Sequence, residues 1–191
     1  MMDVVIVCES GFGNTRKIAA SVADGVREAS SDATVAVLAV AEATPERIDR
    51  AGLLIVGGPT HYRGMSKESS RRRAVGAAEE AGDRRPGLES QHGTAGSGIR
   101  EWLAALPAAS PGRSAAAFDT RLAFPLAGGA ARPIGRALRH LGYGMVAAPE
   151  GFIVDGARGP LRVGETDRAK VWELVSCGGL SPALQLEPDG I

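Results

Sequence analysis

The chain has 191 residues, 44% hydrophobic and 23% charged, a size and composition suited to one α/β domain with a buried core. Lys plus Arg equals Asp plus Glu at 22 each, so no overall field recommends nucleic acid or an anionic membrane as a partner. The two cysteines, Cys8 and Cys177, lack metal-site or disulfide-framework spacing, no apolar run approaches ~20 residues, and no signal-like leader opens the chain. The expectation is a cytoplasmic protein with reduced thiols.

Val4–Cys8 is an apolar, β-branched run that reads as a strand covered on both faces. After a polar turn, Ile18, Ala19, Val22, Ala23 and Val26 fall on one helical stripe, with Asn14 or Thr15 as the expected N-cap. Residues 33–40 read as a second strand, and Thr44-Pro45 opens a short helical piece to Asp49. Leu53–Val56 is the third strand and runs into the loop Gly57–Ser66. Residues 67–97 lose periodicity and read as an insertion with a partly helical piece near 71–81, where Arg71, Arg72 and Arg73 read first as a solvated helix face and second as a contact for an acidic partner or a phosphate.

Residues 98–106 form a helix with Ile99, Trp102, Leu103 and Leu106 inward, stopped by Pro107. Ser114–Phe118 is the fourth strand, followed by Asp119, Thr120 and Arg121 in a loop. A helix over 131–141 buries Ile134, Leu138 and Leu141, with Pro133 in its first turn and Gly142 past its end. Residues 145–154 make a fifth strand, interrupted around 149–151, and a last helix covers 166–177 with Trp172 in the core. The domain spans 1–178, and 179–191 form a tail. Alternation of strand and helix predicts a doubly wound, five-stranded parallel sheet of order 2-1-3-4-5 with helices on both faces. Its ligand sits outside the carboxyl ends of the strands, at the loops after strands one, three and four.

The first of these loops, Ser10-Gly11-Phe12-Gly13-Asn14-Thr15, joins a strand to a helix, so backbone N–H groups and the helix dipole favour an anion there. A Walker A loop counted from Gly11 needs glycine at position 16, and so does a G-x-G-x-x-G dinucleotide turn; Arg16 stands there and removes both. What remains is a turn of hydroxyl and backbone donors suited to a phosphate monoester. Its alternative is a glycine turn and helix cap with nothing bound.

ESGFGNTRKIA, residues 9–19, resembles the phosphate-binding loop of the flavodoxin family. GGPTHYRGM, 57–65, is similar to that family's second flavin loop, AAFDTR, 116–121, occupies the place of the third, and GAARPIGRALRHLG, 129–142, resembles the helix that follows. The resemblance implies FMN, with its phosphate on Ser10–Thr15 and its ring between Pro59, Thr60, His61, Tyr62, Arg63 and Gly64 on one side and Asp119, Thr120 and Arg121 on the other. Tyr62 is the first candidate for stacking, then His61 and Phe12, and Arg63 or Arg121 for stabilising negative charge on the reduced ring. The chain departs from the carriers of this family in its neutral charge, in the insertion at 67–97, and in having no aromatic in the third loop as read here.

The resulting expectation is an FMN-binding redox protein that transfers electrons to a partner protein or a small quinone-like acceptor. The alternatives are an NAD(P)H-dependent quinone- or azo-type reductase and a flavodoxin-like module that binds no FMN and works through protein contacts. Ser10, His61 and Asp119 do not read as a hydrolase triad, because Ser10 lacks a G-x-S-x-G elbow. His61, His92 and His140 are isolated and make no metal pattern.

Overall fold

Val4, Val5, Ile6 and Val7 are stiff at χ1 and apolar on both sides of the pleat, and they fill β1 (Asp3–Cys8), buried on both faces. β1 pairs in parallel with β2 (Thr34–Ala39) on one side and β3 (Leu53–His61) on the other. The hairpin strand β4 (Gly64–Met65) folds back on β3. β5 (Ser114–Leu122) lies parallel to β3 and carries two short outer strands, β6 (Gly144–Met145) beside its start and β7 (Glu150–Val154) beside its end. The computed structural model describes residues 3–80, 98–124, 128–156 and 159–178, with side chains throughout except at 78, 79 and 173–178.

The doubly wound parallel sheet is the expected one: the fourth expected strand is β5, and the fifth is divided into β6 and β7. Its break falls at 146–149, just ahead of the expected 149–151. Odd positions of β1 and β5 and even positions of β3 face α4 (Ile99–Ala105) and α5 (Ala131–His140), where Val7, Val56 and Ala117 meet Ile99, Trp102, Ile134 and Leu138. The opposite set faces α1 (Asn14–Ala29) and α6 (Glu165–Gly178), where Ile6, Ile55 and Phe118 meet Ile18, Val22 and Ala169. At Gly25 a Cβ would lie 2.4 Å from the Lys170 carbonyl oxygen, so the bare backbone lets α1 and α6 close together. Trp172 packs edge-on against Phe118 and Phe152, as a core residue should.

The two central strands are longer than their sequences suggest. β3 continues through the stretch read as a loop to His61, because β5 offers a ladder alongside it as far as the Pro59–Thr120 pair. Gly57 belongs to packing: a Cβ there would be 2.0 Å from the Phe118 ring. β5 continues past Phe118 through Asp119, Thr120 and Arg121 to Leu122, because β7 pairs with it over the whole of that stretch. Tertiary pairing here overrides the polar character of the residues.

Between β2 and β3 lies α2 (Pro45–Ile48), the short piece opened by Thr44. α3 (Glu68–Glu80) is a longer helix than the irregular insertion expected there, and residues 81–97 and the tail 179–191 lie outside the described residues. Its arginines are not one solvated face. Arg71 is mostly covered and bonds Ser66 and Glu101, while Arg72, paired with Glu68, and Arg73 are exposed.

Candidate functional site: the loops at the carboxyl end of the sheet

The first loop leaves β1 at Cys8 and enters α1 through Gly13, whose left-handed φ of +87° turns the chain sharply. Gly13 itself is the N-cap, and it offers no side chain to the orphan N–H groups of the first turn. Neither expected cap serves. Asn14 donates its side-chain amide to the Gly159 carbonyl at 2.7 Å, and Thr15, buried, shares a 2.9 Å hydrogen bond with the Thr120 hydroxyl. Ser10 is also buried and accepts the Arg16 N–H at 3.3 Å.

These bonds leave donors unspent. The threonine pair holds two hydroxyl protons and uses one between them, and Ser10 uses only a lone pair toward Arg16. Each retains a proton beside a helix end whose N-cap residue has no side chain, and a Cβ on Gly13 would meet nothing within 4 Å. An open cradle of hydroxyl and N–H donors at a helix N-terminus is a site for an anion with several acceptor oxygens.

Glu9, one residue upstream, holds the loop from behind. Its carboxylate accepts the Ser66 hydroxyl at 2.7 Å and the Ile99 N–H at 2.9 Å, capping α4 while Glu101 reaches back to the Gly98 N–H. Cys8 is enclosed, and burial pushes its thiol up to about 11, so it stays protonated and unreactive near neutral pH.

The second loop is a tight hairpin. Thr60 pairs with Met65 and His61 with Gly64, so Tyr62 and Arg63 alone make the turn, with φ of +45° and +73°. Two-residue turns of this hand favour Asn-Gly, and a tyrosine and an arginine there store strain. The strain is held by the surroundings. The Arg63 carbonyl accepts the Gly129 N–H at 3.2 Å, and a Cβ on Gly128 would come within 2.4 Å of Arg63 Cα. The result projects Tyr62 into solvent, 77% exposed, on a stiff arm. His61 Nδ1 lies 3.1 Å from the Ser70 hydroxyl, and the Thr60 hydroxyl accepts the Ala130 N–H at 3.0 Å.

The third group does not act as one loop. Because Asp119, Thr120 and Arg121 lie in a strand, their side chains alternate between faces. Thr120 points to the α1 face and joins Thr15. Asp119 points to the α5 face, accepts the Ala131 N–H at 2.8 Å with one oxygen, and has the Arg121 Nε 3.7 Å from the other, which makes no hydrogen bond. Burial pushes this carboxyl above its ordinary range, with the Ala131 N–H and the Arg121 guanidinium pulling against it. Arg121 lies over Gly129 and Gly151, where side chains would collide with its guanidinium. The actual loop begins after Leu122 and carries Phe124, 52% exposed, an aromatic that the shorter strand reading passed over.

The flavodoxin family model matches residues 6–102, just over half of the chain. The chain belongs to the flavodoxin family. By fold it is similar to a flavodoxin from the domain Archaea, with a TM-score of 0.61 at 16% identity over 94% of this chain and 100% of that one. It is likewise similar to oxidised flavodoxin 2 from Bacillus cereus, with a TM-score of 0.61 at 15% identity over 92% and 98% of the two chains. The flavodiiron core of Synechocystis aligns with a TM-score of 0.58 at 15% identity, over 94% of this chain but 36% of that one. No curated protein matches the sequence.

The flavodoxin match ends before β5, so Thr120, Arg121 and Phe124 lie beyond it. The donor set at α1 suits the phosphate of a flavin mononucleotide. Other chemistries find no support. Ser10, His61 and Asp119 each bond a different neighbour, so they form no triad. Among the described residues no cluster of three metal-ligating side chains occurs, and no helix is long and apolar enough to cross a membrane.

Proposed function

We propose that this flavodoxin-family chain binds FMN and transfers electrons through it. The observation that carries the reading is the α1 N-terminus, whose N-cap residue Gly13 has no side chain and whose Arg16 N–H goes to Ser10, while Ser10 and the Thr15–Thr120 pair each keep a proton to give. A first turn capped at one N–H only and flanked by buried hydroxyls costs stability unless an anion completes it. A phosphate monoester offers enough oxygens to accept the hydroxyl protons and the N–H groups together.

When bound, FMN supplies one- and two-electron transfer. The protein's part is to bind, cover and bias it electrostatically. Ser10, Gly11, Phe12, Gly13, Asn14 and Thr15, with Thr120, hold the phosphate end. Pro59, Thr60, His61, Tyr62, Arg63 and Gly64 form the rigid arm on one side of the ring, and Tyr62 and Phe124 are the exposed aromatic faces available to cover it. Arg63 and Arg121 put positive charge on that side of the molecule, which favours the more negative, reduced ring. Asp119 and Thr60 act one step back, bonding the α5 N-terminus and so setting where the third loop starts.

The test is spectroscopic. The purified protein, as prepared or after adding FMN, is expected to show flavin absorbance and to bind FMN at micromolar concentration or tighter. Failure to bind would support the alternative of a module that works through protein contacts. With FMN bound, steady NAD(P)H oxidation in the presence of a quinone would replace the carrier reading by the reductase one.

A further inference from the structure

On the α5 side of β5, facing away from Thr120, a groove of about 550 Å3 opens between the hairpin tip, the end of β5 and α5. Its volume falls in the range of small-molecule sites, roughly 300–1,000 Å3. Arg63, Arg121, Arg132 and Arg136 line it, and Pro133 and Ile153 supply apolar wall. Of the four cations only Arg121 has a described carboxylate in reach, Asp119 at 3.7 Å.

Each arginine is there against a local cost. Arg132 stands in the first turn of α5, where the macrodipole disfavours a cation and no acidic residue balances it. Arg136 follows one turn later, and like charges at i,i+4 repel. Arg63 occupies a strained left-handed position. Arg121 reaches the groove only because Gly129 and Gly151 leave space for it.

We propose that this groove binds the diphosphate of a nucleotide, with the nucleoside against Pro133 and Ile153. Four guanidinium groups against one carboxylate leave three positive charges in excess, and a nucleoside diphosphate carries about three negative ones near neutral pH. Guanidinium forks match phosphate oxygens two at a time. Convergence of the cations on a concavity with apolar wall favours a small ligand over a flat acidic protein face. The groove shares Arg63, Arg121 and Phe124 with the edge proposed for the flavin ring, whereas Arg132 and Arg136 belong to the groove alone.

The full chain is titrated calorimetrically with ADP, with NADH as a second source of the same diphosphate, and with adenosine as the uncharged control, each with and without saturating FMN. ADP is expected to bind saturably in both conditions, and adenosine not to bind. NADH binding more tightly than ADP would mark a dinucleotide as the source, and equal binding a free nucleotide. The variant R132Q/R136Q, both changes on exposed positions of α5, is expected to lose roughly tenfold in ADP affinity for each guanidinium removed while keeping its melting temperature and FMN affinity. Absence of ADP binding at about millimolar concentration would overturn the proposal. So would unchanged affinity in the variant, which would place the nucleotide away from Arg132 and Arg136. The FMN titration is read separately, so either site can fail alone.

Discussion

Thr15→Val removes one hydroxyl and almost no volume, so it isolates the chemistry of the Thr15–Thr120 pair from its packing. Both residues are buried, and their oxygens lie 2.9 Å apart. Without ligand, the variant strands the Thr120 hydroxyl in a dry site, which costs about 1–3 kcal/mol. The double variant Thr15→Val/Thr120→Val strands nothing and should recover most of that loss, so denaturant midpoints of the apoprotein should show strong non-additivity. With FMN, Thr15→Val still leaves the Thr120 proton to give, so it is the double variant, with no hydroxyl left, that weakens binding by about 1–3 kcal/mol, or roughly 5- to 150-fold in Kd, followed by flavin fluorescence in a titration. Unchanged FMN affinity in the double variant, with Thr15→Val destabilised as expected, would refute the reasoning and reduce the pair to a structural tie.

Asp119 binds its proton more tightly folded than unfolded, since burial raises it above the ordinary 3.8. Its charge therefore opposes folding at high pH, and stability gains as pH falls from the raised value toward 3.8; Asp119→Asn should flatten that part of the pH profile, and an unchanged slope would assign the proton uptake elsewhere. Gly128→Ala places a Cβ 2.4 Å from Arg63 Cα at a φ of +69° and should cost about 1–3 kcal/mol by denaturant unfolding, whereas Gly64→Ala meets nothing within 4 Å and should cost less. Tyr62→Asn with Arg63→Gly suits the turn and should stabilise the protein by about 1–2 kcal/mol while weakening FMN; a destabilised double variant would show that the turn is not strained.

The sheet order was legible because Val4–Cys8 and Leu53–Val56 are apolar on both faces, a pattern that only a covered parallel strand satisfies. The turn into α1 was legible because two glycines part an apolar run from a helical stripe, and the structure enters α1 through Gly13. Legibility ended where polar residues occupy strand positions. Nothing local in Asp119-Thr120-Arg121 reports that β7 will pair with it, so the sequence pattern ends the strand at Phe118, hides Phe124 from the third loop and groups residues of opposite faces together. Gly57 misleads in the same way, as glycine signals a turn in sequence and here marks a close approach of the Phe118 ring in the fold. The arginine groove draws on residues 63, 121, 132 and 136, whose meeting depends on the register of β5 and the angle of α5, and no spacing in the chain announces it.

The Asn14 side chain closes onto the carbonyl of Gly159, which lies 145 residues further along the chain. Thr15 waits in the same way for Thr120, and α1 for the backbone of Lys170. In a chain made from its N-terminus, the first ligand loop to emerge during synthesis is therefore among the last parts to be braced. A nascent chain stalled before residue 159 would hold the loop's residues without its architecture.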